Sequence, residues 1–272
     1  MSSPCQPARP IACLVLPTYN ERRNLQVVLP RVLAQAAHIP SHDFHVLVVD
    51  DNSPDGTAEV VRQAMPLHLN LHLLTGEKRG IGDAYKRGMT HALDHLGAAL
   101  LLEMDADGQH DPALLPDFIR SCAEGENRLV MGSRFLAGAA TPEFGPLRRA
   151  LSRTGSFLVR LCWRVGPVSD CTSGYRCFPA ELLRRSRLDF YRLPTRGYSF
   201  QSALLFELIN HGAQVVELPL IFAPRLDGES KLKLRDCFEF LITLAGLTAR
   251  RLLRPAHAAA GPESAKVPGK AT

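Results

Sequence analysis

Leu100 to His110, LLLEMDADGQH, is the stretch whose reading decides the fold. An apolar run that reads as a buried strand stops at Met104. Asp105, Asp107 and Gln109 follow at once, all rich in oxygen acceptors. Carboxylates just past the end of a buried strand are costly to desolvate unless something uses them. An oxygen-loving divalent cation, Mg²⁺ or Mn²⁺, is the natural partner, because such ions take one or two carboxylates and keep places for phosphate oxygens. The plain alternative is a polar turn that only ends a strand.

Upstream, strand and helix alternate. Ile11–Leu16 reads as a buried strand, followed by a helix that Asn20 caps, with Glu21 in its first turn. Pro30 should kink or shorten that helix. Phe44–Asp50 is a second strand and ends in DDNSPDGT; Thr57–Met65 is a helix and Leu69–Leu74 a third strand. The basic glycine-rich loop GEKRGIG, Gly76–Gly82, feeds a helix from Asp83 to Leu96. Ala98–Met104 delivers the D-x-D. Asp111 and Pro112 open a helix to Glu124, and Leu129–Gly132 is a short fifth strand. This alternation implies an α/β fold, a mostly parallel Rossmann-like sheet with helices on both faces. Ligands of such sheets sit at the carboxyl ends of the strands. Those ends carry Pro17 and Tyr19, then Asp50 and Asp51, then Lys78 and Arg79, then Asp105 and Asp107. All the polar clusters therefore meet at one end of one sheet.

The second half differs. Pro146–Val165 reads as a helix on which Arg149, Arg153, Arg160 and Arg164 share one face. That face is either solvated or a surface for lipid headgroups or an acceptor phosphate. DCTSGYRCF, Asp170–Phe178, is a turn into a strand; Pro179–Leu188 and Ser199–His211 read as helices, and Ala213–Ala223 as an edge strand. Asp236–Leu253 carries about a dozen mostly apolar residues ahead of Arg250, Arg251 and Arg254. It is too short for a span of roughly 20 apolar residues. It suits an amphipathic helix in the membrane interface, the alternative being a helix packed on the core or on a partner subunit. The expected organisation is a leader over 1–10 without structure, a catalytic domain over 11–234, the interface helix over 235–254 and a disordered tail over 255–272.

The net charge of +5 is compatible with anionic ligands or an anionic membrane and too weak to argue for nucleic acid. Seven cysteines form no C-x-x-C pair and read as reduced cytosolic thiols. No secretory signal is seen at the start, and no apolar run is long enough to span a bilayer. His91 and His95 stand at helical i, i+4 spacing with no third ligand nearby, which reads as packing. GEKRGIG lacks the G-K-[ST] of a P-loop, no G-x-G-x-x-G follows the first strand, and no G-x-S-x-G elbow occurs; nucleoside triphosphatase, dehydrogenase and α/β-hydrolase are disfavoured.

A metal on strand-end carboxylates, with Lys and Arg nearby, suits a diphosphate leaving group. Asp51 would hydrogen-bond the base or ribose and Tyr19 would stack on the base, so the site reads as that of a nucleotide-sugar transferase. The motifs LPTYNERRNL, VVDDNSPDGT, GIGDAYKRGM, MDADGQHDP, MGSRF, TSGYR and GESKL, in this order from Ile11 to Leu234, resemble family 2 glycosyltransferases of the GT-A fold. Within that family the set is similar to the soluble-type dolichyl-phosphate (polyprenyl-phosphate) mannose synthases, which lack spanning helices. The resemblance implies transfer of mannose from GDP-mannose to a polyprenyl phosphate, with inversion, giving polyprenyl β-D-mannosyl phosphate and GDP.

Carried over by position, Pro17, Tyr19, Glu21, Val49 and Asp51 would hold the guanosine. Asp105, Ala106, Asp107 and Gln109 would bind donor diphosphate, with Asp105, Asp107 and Gln109 on the metal. Arg225 and Lys231 would close over the donor phosphates, and Arg134, Arg148 and Ser152 would grip the acceptor phosphate. Asp105, Asp107 and Arg134 are thus the expected catalytic residues. Tyr175 stands where many relatives carry Phe. Asn52 stands where many carry Gly, and Asn tolerates the left-handed backbone such a turn requires. The implied setting is peripheral, on the cytosolic face of a membrane, with small membrane partner subunits as possible companions and no nucleic acid. Competing readings are a sister enzyme using another donor such as UDP-glucose, a nucleotidyltransferase, for which the first loop PTYNERRN is wrong, and a non-catalytic relative.

Overall fold

The computed structural model describes residues 8–163, 165–186, 190–194, 197, 199–227 and 234–253. The leader before Ala8, the tail, Arg164, Lys231 and Arg254 lie outside them. Seven strands form one sheet: β1 (Ile11–Thr18), β2 (Asp43–Asp50), β3 (Leu71–Thr75), β4 (Leu100–Glu103), β5 (Arg128–Ser133), β6 (Arg176–Pro179) and β7 (Gln214–Pro219), in the spatial order β3-β2-β1-β4-β6-β5-β7. β1, β2, β3 and β4 are mutually parallel, as are β5 and β7. The alternation of the first half builds the first set, and β7 takes the edge position its pattern implies.

β1 shows why these runs become central strands. Ala12 to Leu16 are wholly buried, as a strand covered on both faces must be. Cys13 and Val15 point into one core, and Ala12, Leu14 and Leu16 into the other, following the two-residue period. The α-helices among the described residues are α1 (Arg22–Ala34), α2 (Thr57–Ala64), α3 (Ile81–Asp94), α4 (Leu115–Ala123), α5 (Pro146–Trp163), α6 (Ala180–Arg185), α7 (Ser199–Asn210) and α8 (Leu234–Leu253). Buried side chains of α1, α2 and α4 fill one core, and those of α3, α5, α6, α7 and α8 the other.

Two local expectations are corrected. Asn20 does not cap α1; it sits at φ 54 and Glu21 occupies the cap position without a side-chain bond. The loop after β2 does that work, as Asp55 Oδ2 accepts from Arg22 N at 3.0 Å and Thr57 Oγ1 from Glu21 N at 3.0 Å. Nor does Pro30 shorten the helix, which continues to Ala34. Asn52 does adopt the left-handed backbone, with φ 49.

β6 is antiparallel to both neighbours, β4 and β5. The turn before it therefore lies at the carboxyl ends of the parallel strands. This reversed strand is what delivers Asp170, Thr172 and Ser173 to the same end as the D-x-D.

α3 packs closely on β1 and β2 through Gly88. A Cβ there would stand 2.5 Å from Val15 Cγ1 and 2.7 Å from Val49 Cγ2. Gly88→Ala is expected to lower stability by about 1–3 kcal/mol through overpacking. A denaturation midpoint that falls with unchanged slope checks this, and an unshifted midpoint refutes the tight seat.

α8 packs on the core along one side and leaves apolar residues exposed along the other. One side packs on the core: Leu244 is buried, and Trp163 Nε1 donates to Leu244 O at 3.3 Å and Thr248 Oγ1 at 3.1 Å. Arg250 Nη1 reaches Glu207 Oε1 at 3.1 Å. The other side exposes Phe238, Leu241 and Ile242. No helix among the described residues is long and apolar enough to cross a membrane.

Candidate active site

The carboxyl ends of β1, β2 and β4 open into a cavity of about 640 Å³. Pro17, Tyr19, Glu21, Asp51, Asp105, Ala106, Asp107, Gln109 and Arg225 line it, and so do Arg134 after β5 and Arg148 and Ser152 of α5. The two groups, distant in sequence, share one space. Lys231 lies outside the described residues. Val49 does not line the cavity with its side chain, which is buried in the core against Gly88.

At the end of β2 the paired aspartates separate in role. Asp50 is fully buried and accepts from Thr18 Oγ1 at 3.0 Å, Ser53 N at 2.9 Å and Ser53 Oγ at 2.6 Å, so it ties the β1 and β2 ends together. Asp51 faces the cavity and is paired with Arg87, which also donates from Nε to Asp83 at 2.9 Å. Burial pushes the Asp51 carboxyl up to about 6; Arg87 opposes the shift, while Asp83 and Asp50 add to it. Beside it Lys78 Nζ stands 3.3 Å from the Tyr19 ring centroid, a cation over an aromatic face.

The D-x-D turn is held from three sides. Gln109 N donates to Asp107 Oδ1 at 3.0 Å, and Asp105 N to His110 Nδ1 at 3.1 Å. Arg225 Nη2 meets Asp107 Oδ2 at 2.8 Å and Gln109 Oε1 at 3.4 Å. Main-chain bonds from Leu226 N to Asp107 O (3.2 Å) and from Ala223 N to Gln109 O (3.0 Å) lay the segment after β7 across this turn. Gly108 permits that approach, since its φ is +82° and a Cβ would lie 2.5 Å from Leu226 Cδ1. Burial pushes Asp105 up to about 6, with Arg225 pulling it down and Glu21 adding to the rise. Asp107 is also raised, by burial and then by Asp105. These are carboxylates short of positive charge, and the guanidinium on Asp107 and Gln109 shows that their oxygens suit a cation. Among the described residues no three His, Cys, Asp or Glu side chains group as a metal cage. Two carboxylates and an amide instead suit an ion completed by phosphate oxygens.

Arg134 follows β5 and is clamped by the turn before β6. Its Nε donates to Asp170 Oδ2 at 2.6 Å, and its Nη2 donates to Asp170 Oδ1 at 2.7 Å and Thr172 Oγ1 at 2.6 Å. This uses three of the five guanidinium N–H groups, leaving the two on Nη1. Burial would raise Asp170, but the charge and hydrogen bonds of Arg134 outweigh it and hold the carboxyl below its usual range. Arg148 lies 4.2 Å from the Phe144 ring centroid, and Ser152 Oγ is 3.5 Å from Thr172 Oγ1.

Three residues here have no counterpart in the sequence reading. His110 ends the quoted motif but received no role. Buried and stacked 4.8 Å from Tyr175, it is pushed down to about 4 by burial, so it stays neutral and accepts from Asp105 N. Asp170 stood in the quoted DCTSGYR, yet nothing in that string shows it meeting Arg134. Arg87 had no visible signal. Of the arginine face on α5, Arg149 instead binds the chain, donating from Nη2 to Thr141 O and Phe144 O at 3.4 Å. Tyr175 gives its hydroxyl to Asp111 O at 2.8 Å, which accounts for Tyr in place of Phe.

A mixed sheet whose parallel strands end on a D-x-D turn, beside a cleft with acidic and cationic walls, defines a glycosyltransferase of the GT-A fold. The chain belongs to glycosyl transferase family 2, whose model matches residues 13–186. It is 36% identical over 235 residues to the polyprenol monophosphomannose synthase of Mycolicibacterium smegmatis, covering 85% of this chain and 84% of that one. It is 36% identical over 239 residues to the undecaprenyl-phosphate mannosyltransferase of Micrococcus luteus, covering 87% and 94%. Among solved structures, the mannosyltransferase PcManGT of Pyrobaculum calidifontis, in complex with GDP-Man and Mn²⁺, superposes with a TM-score of 0.55 at 18% identity over 92% of this chain and 77% of that one.

Proposed function

We propose that the protein transfers mannose from GDP-mannose to a polyprenyl phosphate with inversion, giving polyprenyl β-D-mannosyl phosphate and GDP, with Mg²⁺ or Mn²⁺ bound. The observation that carries this reading is the single cavity that joins the D-x-D turn to Arg134, Arg148 and Ser152 and is bordered by Leu151, Phe240 and Leu241. One end offers a diphosphate site, the middle an anion site, and the border an apolar path for a lipid. The names of the two relatives support the acceptor and the sugar, and the GDP-Man of the structural neighbour supports the donor.

In this mechanism Pro17, Tyr19, Glu21 and Asp51 hold the guanosine, with Val49 contributing through the backbone, and Ala106 and Gln109 border the diphosphate. Asp105, Asp107 and Gln109 would hold the ion, and a bound ion would supply positive charge against that developing on the departing diphosphate. Arg134, Arg148 and Ser152 place an acceptor phosphate oxygen against the anomeric carbon. The new bond forms from that oxygen to C1 as the bond from C1 to the GDP β-phosphate oxygen breaks. The nucleophile is already ionised at neutral pH, so no side chain has to take a proton. The task is to bring two anions together, and cationic side chains do it. Arg225, which lines the cavity, would close over the donor phosphates, with Lys231 assigned beside it from its place in the sequence motif alone. Leu147, Leu151 and Leu161 of α5 and Phe238, Leu241 and Ile242 of α8 are exposed. They seat the protein peripherally on the cytosolic face of a membrane, directly or beside a small membrane subunit.

The deciding experiment is transfer of label from GDP-mannose to a short polyprenyl phosphate in detergent, with Mn²⁺ or Mg²⁺ and an EDTA control. Metal-dependent label in the organic phase is expected. Label from UDP-glucose and none from GDP-mannose would move the donor; label that EDTA leaves unchanged would remove the ion from the mechanism. The ion should also respond to pH. The Asp105 carboxyl is raised to about 6, so its protonated fraction grows as pH falls through that value. An ion needs the ionised form, so Mn²⁺ affinity should be steady above about pH 7 and fall by up to about tenfold per unit below about pH 6. Calorimetry of the nucleotide-free protein across this range tests it, and a flat affinity from pH 7 to 5 would contradict the site.

A further inference from the structure

A second groove lies along α5, beside the catalytic cavity. Its volume is about 420 Å³ and it is lined by Phe135, Arg153, Thr154, Phe157, Arg160 and Ser169. Arg153 and Arg160 are seven residues apart, which places them on one face about 10 Å apart along the axis. Phe157 lies between them. The Arg153 guanidinium is 5.4 Å from the Phe135 ring centroid, and Arg160 Nη1 donates to Val168 O at 3.4 Å. Among the described residues, no carboxylate lines the groove. Glu217, bonded to Ser169, has its oxygens occupied, by Ser169 N and Oγ at 2.8 Å and by Asp170 N at 3.0 Å. Thr154 lines both this groove and the catalytic cavity, so the two openings share one rim.

We infer that this groove binds the phosphodiester headgroup of an anionic phospholipid, a second lipid distinct from the acceptor, beside the mouth of the catalytic cavity. The inference rests on the reading that this mouth faces a bilayer. Two cations at the ends of the groove match one phosphodiester and its glycerol better than a bare inorganic ion, which would fill little of the space. Phe157 and Leu161 are 53% and 64% exposed on the same helix, and only a ligand that carries chains gains from them. A headgroup held here fixes α5 at the membrane surface and sets the cavity mouth at the depth where a lipid phosphate is found.

The test compares Arg153→Ser/Arg160→Ser with Arg62→Ser/Arg120→Ser, which removes the same charge from exposed positions on α2 and α4 across the sheet. Full-length proteins are floated with phosphatidylcholine vesicles, with and without phosphatidylglycerol. One basic residue at an anionic surface is worth roughly fivefold in partitioning. The groove variant should therefore bind the anionic vesicles about 30-fold more weakly and the neutral ones as wild type does, while the control variant binds both as wild type does. Equal loss in the two variants would reduce the effect to net charge and overturn the site, as would undiminished binding by the groove variant. In detergent, with a short-chain acceptor, the groove variant should keep the kcat and KM of the wild type; a raised acceptor KM would assign the groove to the acceptor and overturn the inference. If no variant transfers sugar, the vesicle results still stand or fall by themselves, so failure of the mannosyl-transfer reading is seen separately.

Discussion

Asp107→Ala is expected to lower transfer by at least about 10³-fold, which corresponds to roughly 4 kcal/mol of lost transition-state stabilisation. That is the scale of removing a principal charge-stabilising group from a site that excludes water. Asp107 meets Arg225 at 2.8 Å and receives Gln109 N at 3.0 Å, so its carboxylate shapes the turn in addition to the role proposed for it on the ion. The two roles separate with Asp107→Asn, which keeps an acceptor for Gln109 N and loses the charge. If the charge on the ion is what matters, Asn is nearly as inactive as Ala while melting close to the wild type. A folded Asp107→Ala protein with undiminished turnover would end the metal assignment. Full activity in the Asn variant would leave Asp107 a structural acceptor only.

The sheet was legible because central parallel strands are apolar on both faces and stop abruptly. β1, β2 and β4 each announce themselves, and so do the polar residues at their ends. What the sequence hid is the return of the chain. The string DCTSGYR reads as a turn into a strand, but the direction of β6 depends on Leu101 pairing with Phe178 and Val130 with Cys177, contacts between segments far apart in sequence. The Arg134–Asp170 clamp follows from that direction and was invisible for the same reason. The cap of α1 failed likewise: Asn20 has the right chemistry, yet Asp55 and Thr57 of another loop fill the sites. Val49 shows the limit of carrying roles over by position. A place in a motif says that a residue is near the nucleotide and leaves open whether the side chain faces it or the core. α8 was ambiguous between core and interface because a helix with two apolar sides suits either, and only the contacts of Trp163 and Arg250 show which side packs on the core.

Arg134→Ala is the harder test, since Arg134 has a structural partner as well as a chemical role. It should lower kcat/KM for polyprenyl phosphate by at least about 100-fold, roughly 3 kcal/mol, and change GDP-mannose binding by less than about threefold. The arginine sits where β5 ends, on the wall of the cavity where the acceptor phosphate is proposed to bind, with no partner for its Nη1 donors among the described residues. The substitution also leaves Asp170, fully buried, without its countercharge. Orphaning one member of a buried pair costs about 3–5 kcal/mol, here reduced by the main-chain N–H groups of residue 134 and Thr172 that still reach the carboxylate. The pH dependence separates this cost from catalysis. In the wild type the pair depresses the Asp170 carboxyl, so its stabilisation is present above the unfolded value and is lost as pH falls through the folded one. In Arg134→Ala the guanidinium no longer opposes burial, and the hydrogen bonds that remain offset it only in part, so the carboxyl rises from its wild-type value and the variant's deficit is largest at neutral pH and shrinks on acidification. Adding Asp170→Asn removes the orphaned charge: Arg134→Ala/Asp170→Asn should melt near the wild type and remain as poor with the acceptor as Arg134→Ala. Recovery of acceptor use in the double variant would mean that Arg134 merely holds the fold, and equal loss of donor and acceptor affinity in a well-folded double variant would count against its place at the acceptor phosphate.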